Sequence, residues 1–133
     1  MSDGSSIRHS GAGPDILVIE DSPSQALQLQ LILQRAGYRV TVVADGAEGW
    51  HAACDQSPRL ILLDVELPTL DGFQVLSRLK RGSETAAIPV IMLTNRDHVS
   101  SVERAIKLGV DDYLPKQDMQ HQLCAIVKQF LDP

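Results

Sequence analysis

The chain has 133 residues, of which 44% are hydrophobic and 22% charged, and its formal net charge is −5. These values are typical of a single globular domain with one substantial core. No basic block is present, which argues against direct nucleic-acid binding and against attraction to an anionic membrane. No apolar run approaches the roughly 20 residues that a membrane-spanning helix needs. The N-terminus has no hydrophobic signal core, so we expect a cytoplasmic protein.

The first 14 residues are rich in glycine and serine, and we expect a disordered tail there and a folded domain over 15–133. Five apolar or β-branched runs then predict strands. They are Asp15–Ile19, Tyr38–Val43, Leu60–Asp64, Pro89–Leu93 and Asp112–Leu114.

Five segments with helical periodicity alternate with these strands. The first, third and fifth helices are predicted over Pro23–Ala36, Gly72–Arg81 and about Met119–Leu131. The second follows the N-cap Asp45, with which Glu48 forms a predicted capping box, and the fourth runs from the N-cap Asp97 to Leu108. Leu27 and Leu31 widen the apolar face of the first helix, and we interpret them as residues of the hydrophobic core rather than of a docking surface. Ile106 is predicted to face inward. Cys54 and Cys124 lie in apolar helical stretches, which predicts buried thiols.

Strict alternation of strand and helix predicts an α/β fold with helices on both faces of a parallel sheet. Five units in one small domain favour the doubly wound (βα)5 arrangement, with strand order 2-1-3-4-5.

Polar residues follow four of the predicted strands. Glu20 and Asp21 end the first strand, Asp64 the third, Thr94 the fourth, and Lys116 follows the fifth. Each has a plain structural explanation taken singly, as a helix-entry acid, a loop cap or a solvated charge. Because the carboxyl ends of parallel strands share one edge, we expect these side chains to converge.

Carboxylates held close together repel each other and favour a bound cation. Oxygen ligands without histidine or cysteine favour Mg²⁺. A carboxylate beside that ion can attack a phosphoryl donor to form an aspartyl phosphate. A lysine and a hydroxyl can then neutralise and bind the phosphoryl oxygens.

Four motifs in order resemble those of response-regulator receiver domains from two-component signalling. The motifs are VIEDSP, LILLDVELPTLDGFQVL, IPVIMLT and YLPK, within a resemblance that covers about residues 15–131. The resemblance implies Asp64 as phosphoacceptor, Asp21 as direct Mg²⁺ ligand and Glu20 as a ligand through water. It also implies that the backbone carbonyl of Glu66 binds the metal.

The resemblance further implies a switch. Thr94 matches the hydroxyl that turns toward the phosphoryl group, Tyr113 the aromatic residue that then turns inward, and Lys116 the lysine that pairs with the aspartate and then with the phosphate. The face made by the fourth helix, fifth strand and fifth helix is expected to change, to control a partner or output domain, and to support a homodimer. The expected donor is a sensor histidine kinase or a histidine phosphotransfer protein. We expect no enzyme beyond self-phosphorylation and autodephosphorylation.

Two positions, Asn95 and Gln117, depart from the family pattern, and two others are positions at which the family varies a rate. Asn95 stands where alanine or glycine is usual, and its side chain could narrow access to Asp64 or bond to the phosphoryl group. Glu66 and Arg96 occupy positions that tune autodephosphorylation in the family. Gln117 replaces the proline that usually follows the lysine.

Two other classes of protein fit parts of this pattern. A phosphohydrolase of the haloacid-dehalogenase type also uses an aspartate nucleophile and Mg²⁺, but it needs a nucleophile on the first strand and an aspartate at the position of Glu66. A flavodoxin-like nucleotide binder needs a first loop rich in glycine, serine and threonine, whereas this loop begins Glu20-Asp21.

Overall fold

A computed structural model describes residues 13–95 and 99–133. Residues 1–12 of the predicted tail over 1–14, the pocket residue Arg96 and the cap Asp97 lie outside these residues. Over the described chain, strands and helices alternate. The strands are β1 (Ile16–Ile19), β2 (Val40–Val43), β3 (Leu60–Asp64), β4 (Val90–Thr94) and β5 (Asp112–Pro115). The α-helices are α1 (Pro23–Arg35), α2 (Gly46–Gln56), α3 (Gly72–Arg81), α4 (Val99–Lys107) and α5 (Met119–Leu131), and a 3₁₀ turn spans Lys116–Asp118.

The strands form one parallel sheet in the order β2-β1-β3-β4-β5, which confirms the predicted fold class. Every residue of β1, β3 and β4 is buried, as their unbroken apolar sequences predict. The register places Asp64 beside Leu93 and Thr94 beside Pro115. The polar ends of β3, β4 and β5 are therefore brought level at one edge of the sheet.

Successive strand residues point into two separate cores. Val18 and Leu62 belong to the core that α1 and α5 cover, whereas Leu17 and Leu63 belong to the core that α2, α3 and α4 cover. This alternation follows from the two-residue period of a strand. Helices thus cover both faces of the sheet. No helix within the described residues is long and apolar enough to span a membrane.

Four residues predicted to be buried are exposed, and a fifth is only half-buried. Leu27 and Leu31 are 54% and 42% exposed, and Ile106 is 63% exposed. Cys124 is also exposed, and Cys54 is half-buried. Each misplaced residue lies one or two positions from a buried neighbour, so it points about 100° or 200° around its helix from the face that meets the sheet.

The loop between β3 and α3 holds Asp64 in place through close backbone contacts. The backbone N–H of Gly72 donates to the Val65 carbonyl over 2.7 Å. A side-chain carbon at Gly72 would lie 2.3 Å from the Asp64 carbonyl oxygen, so only glycine fits there. Further along the loop, Thr69 adopts a φ of 66° and its hydroxyl accepts from the backbone N–H of Ala47 over 3.0 Å. The loop is therefore tied to both its own strand and the start of α2.

We expect Gly72→Ala to lower the free energy of unfolding by about 2 kcal/mol, because the added methyl group overlaps the backbone of β3. Urea denaturation measures this loss. Gly109→Ala is the matched control, since Gly109 has a φ of 95° and lies away from Asp64. That control should lose stability through backbone strain alone. If the Gly72→Ala protein is as stable as the unsubstituted chain, the loop can move to accommodate the methyl group and the close contact does not anchor it.

Candidate functional site

The carboxyl edge of the sheet carries a polar cleft of about 370 Å³. Its lining residues come from the ends of β1, β3, β4 and β5 and from the start of α1. They are Glu20, Asp21, Ser22, Gln25, Asp64, Glu66, Leu67, Pro68, Asn95 and Lys116. The structure therefore brings together the acids and the lysine that the sequence placed at separate strand ends.

Three carboxylates meet in this cleft. One oxygen from each of Glu20, Asp21 and Asp64 lies within 4.8 Å of the others. Glu20 and Asp64 are buried, at 2% and 5% exposure, whereas Asp21 is exposed. Local bonds fix the two buried groups. The backbone N–H of Ser22 donates to Glu20 Oε2 over 3.1 Å, and that of Glu66 reaches Asp64 Oδ1 over 3.4 Å.

Lys116 is the cation of the cleft. Its Nζ lies 2.8 Å from Glu20 Oε1 and 3.3 Å from Asp64 Oδ2, and it also donates to Gln25 Oε1. Its side chain is 9% exposed. Although Pro115 precedes the lysine and Gln117 follows it, the 3₁₀ turn that starts at Lys116 directs its side chain into the cleft.

The pKa of Asp64 is raised from 3.8 to about 7. Burial of the carboxylate is the main cause, and hydrogen bonding and charge repulsion from Glu20 add to it. Lys116 opposes this shift without cancelling it. The cleft thus holds more negative charge than its one lysine compensates, which is the electrostatic condition that favours a bound cation.

Of the remaining predicted residues, Asn95 and Glu66 line the cleft and are exposed at its mouth, whereas Thr94 and Tyr113 are not among its described lining residues. Thr94 is 7% exposed at the end of β4. Tyr113 is half-buried on β5, and its buried hydroxyl has no hydrogen-bond partner among the described residues. Arg96 falls in the undescribed segment, so its tuning role stays a prediction.

Gln25 is the cleft residue that the sequence analysis missed. It is the third residue of α1, directly after the cap Ser22, the N1 residue Pro23 and Ser24. Side chains in the first turn of a helix lean toward its N-terminus. A polar residue at that position, following an acidic pair at a strand end, was the available signal.

Comparison with known proteins agrees with this geometry. Residues 16–128 match the family described as response regulator receiver domain. The chain is 39% identical over 118 residues to the DNA-binding dual master transcriptional regulator RpaA of Synechocystis sp., covering 89% of this chain and 49% of that protein. It is 35% identical over 101 residues to protein PilH of Pseudomonas aeruginosa, covering 76% of this chain and 84% of that protein.

A solved structure is also similar. It is the receiver domain of a sensor histidine kinase from Pseudomonas aeruginosa PAO1, with a magnesium ion coordinated in its active-site cleft. The TM-score is 0.83 at 32% identity, and the match covers 92% of this chain and 100% of that one.

This chain belongs to the response-regulator receiver family, the phosphoryl-accepting switches of two-component signalling. The resemblance seen in the sequence is thereby confirmed. The chain spans about half the length of the first curated relatives it matches.

In the metal-free protein, the free energy of unfolding should fall as the pH rises from about 4 to about 7, because of the raised pKa of Asp64. The folded state keeps a proton on Asp64 that the unfolded chain has released, so the free energy of unfolding falls across this window. Asp64→Asn removes this titration. We expect it to be more stable than the unsubstituted protein at pH 8 by about 1 kcal/mol, since solvent in the open cleft screens the charges.

Urea denaturation in a chelator at pH 5 and pH 8 measures this difference. Asp55→Asn, on the exposed side of α2, is the control and should leave the pH dependence unchanged. Equal pH dependence in the unsubstituted and Asp64→Asn proteins would contradict the raised pKa.

Proposed function

We propose that Asp64 is the phosphoacceptor of this receiver domain. The observation that carries the proposal is the position of its carboxylate, which is buried at the end of β3, 3.3 Å from Lys116 Nζ and within 4.8 Å of two further carboxylates. A buried carboxylate between a lysine and an acidic cluster is placed to attack a phosphoryl group whose charge those neighbours and a cation neutralise.

In the proposed reaction, an oxygen of Asp64 forms a bond to the phosphorus of the donor. With a phosphohistidine donor the phosphorus–nitrogen bond breaks, and its electron pair leaves with the imidazole. With acetyl phosphate the phosphorus–oxygen bond breaks and acetate leaves. Asp64 must be deprotonated to attack, and Lys116 favours that form by its proximity. Water attack on the aspartyl phosphate later releases phosphate and returns the carboxylate.

The residues present fit Mg²⁺. The donors are carboxylate oxygens, the charge in the cleft is uncompensated, and a receiver domain of the same fold has been solved with magnesium in this cleft. Asp21, Asp64 and the backbone carbonyl of Glu66 would hold the ion directly, and Glu20 would act through water. When bound, Mg²⁺ supplies positive charge for the phosphoryl oxygens.

Thr94, Tyr113 and Lys116 form the proposed switch. Thr94 ends β4 beside Pro115 of β5, so its hydroxyl is at the same edge as Asp64. Among the described residues the buried hydroxyl of Tyr113 has no hydrogen-bond partner, so movement of the ring breaks no hydrogen bond between that hydroxyl and these residues. Movement of Thr94 toward the phosphoryl group followed by Tyr113 would change the α4-β5-α5 face, which we propose as the surface that contacts a downstream protein, an output domain or a second copy.

The phosphoryl donor that we propose is a sensor histidine kinase or a histidine phosphotransfer protein. The cleft mouth would set how fast the phosphoryl group enters and how fast water removes it. Asn95 and Glu66 are both exposed there, and we assign this tuning role to them and to Arg96.

We expect Asp64→Asn to abolish covalent labelling by acetyl phosphate with Mg²⁺, because an amide nitrogen or oxygen is not a comparable nucleophile. Intact-mass spectrometry measures the phosphorylated fraction. Asp55→Asn is the matched control and should label like the unsubstituted protein. Equal labelling of Asp64→Asn would reassign the acceptor to another residue.

We expect Asp21→Asn to weaken Mg²⁺ binding about tenfold or more, because it removes a charged ligand from a site with few protein ligands. Isothermal titration calorimetry at pH 8 measures the affinity. Glu48→Gln, an exposed substitution on α2, should leave it unchanged. The proposed ligand set is wrong if Asp21→Asn and Glu48→Gln bind the ion equally well.

A further inference from the structure

Gln25 contacts the ammonium group of Lys116 in the cleft. Its side chain is half-buried on the first turn of α1, and its Oε1 accepts a hydrogen bond from Lys116 Nζ. We propose that Gln25 is a positioning residue that holds Lys116 in its resting place and competes with the incoming phosphoryl group for it. The inference rests on the proposed phosphoacceptor function and deepens it.

The first step in the argument is a count of donors. A lysine ammonium has three N–H donors and no acceptor. In this structure Lys116 donates hydrogen bonds to Glu20 and Gln25 and forms an ion pair with Asp64, whose Oδ2 lies 3.3 Å from its Nζ. Three acceptors therefore surround the ammonium before any phosphoryl group arrives. To donate to a phosphoryl oxygen on Asp64, Lys116 must release one of these three partners.

The second step is to ask which partner is released at least cost. A bond from an ammonium to a carboxylate includes the attraction between two full charges, and one to a neutral amide oxygen does not. Gln25 is the neutral acceptor of the three. While the donor approaches, Asp64 is still a carboxylate, so exchange of Gln25 for an oxygen of the incoming phosphoryl group keeps the contacts with Glu20 and Asp64. Release of Gln25 is thus the least costly way for the lysine to turn.

The third step concerns how firmly Gln25 is held. The backbone N–H of Gln25 donates to the hydroxyl of the cap Ser22 over 3.4 Å. The backbone N–H of Ser22 in turn donates to Glu20 Oε2 over 3.1 Å. The same tight connection from β1 into α1 therefore fixes both Glu20 and Gln25, two of the three acceptors. Two of the three acceptors around Lys116 are therefore held from the β1–α1 side.

A different result is expected if Gln25 has only a structural role. If Gln25 only fills space at the start of α1, an apolar side chain of the same length should alter stability and leave the phosphoryl chemistry unchanged. Gln25→Met provides that test, because methionine keeps the length of the side chain and removes the amide oxygen. Gln28→Met is the matched control, since Gln28 is also half-buried on α1 and does not line the cleft.

Two measurements read out the competition. One is the rate constant of labelling by acetyl phosphate with Mg²⁺, and the other is the affinity for fluoroberyllate, a stable phosphoryl analogue. We expect Gln25→Met to raise both by about tenfold, the lower end of the range for a hydrogen bond that involves a charged group. Gln25→Glu should lower both, because a carboxylate holds the ammonium more strongly. Gln28→Met should match the unsubstituted protein.

A double substitution separates positioning from general effects. In a Lys116→Met background, Gln25→Met should no longer change the labelling rate, since the group that it releases is gone. The inference is overturned if Gln25→Met labels and binds fluoroberyllate as Gln28→Met does, if it lowers either quantity, or if its effect persists without Lys116. Absence of labelling in the unsubstituted protein is a separate result that would overturn the proposed function itself.

Discussion

The excess of negative charge at the carboxyl edge of the sheet is the constraint on which the rest of the structure depends. Glu20 and Asp64 are nearly inaccessible to solvent, Asp21 lies beside them, and Lys116 is the cation within reach. Burial and repulsion raise the pKa of Asp64 to about 7, so the cleft is poised to accept positive charge. A bound cation would offset this excess of negative charge, whereas a phosphoryl group on Asp64 would add negative charge that the cation and Lys116 would neutralise.

Such an arrangement requires a rigid scaffold, since unconstrained carboxylates would move apart. Two cores on opposite faces of the sheet fix the strands, and the parallel register brings their polar ends level. The loop after Asp64 is anchored through Gly72 to its own strand and through Thr69 to α2. The three residues assigned to switching instead lie on β4, on β5 and in the 3₁₀ turn after β5, and within the described part of the chain the Tyr113 hydroxyl has no hydrogen-bond partner. The anchored loop after β3 and the residues proposed to move therefore lie at neighbouring strands.

The sequence allowed prediction of the element order, the sheet and the central site residues, because those features depend on local patterns. Unbroken apolar runs predicted the buried strands, and turn residues placed their ends. Side-chain burial on the helices was predicted less well. Leu27, Leu31 and Ile106 are apolar yet exposed, because composition does not show which arc of a helix meets the sheet. Cys124 was misplaced for the same reason.

By itself the sequence determined that acids, a threonine and a lysine stand at successive strand ends, because chain order and hydrophobic pattern are local properties. Only the tertiary structure decided which of them touch. The contact between Lys116 and Gln25 joins residues 91 positions apart, and it depends on α1 beginning beside the cleft after β1. The pKa of Asp64 likewise depends on its distance from Glu20 and Lys116 and on its burial, which exist only once the sheet has assembled.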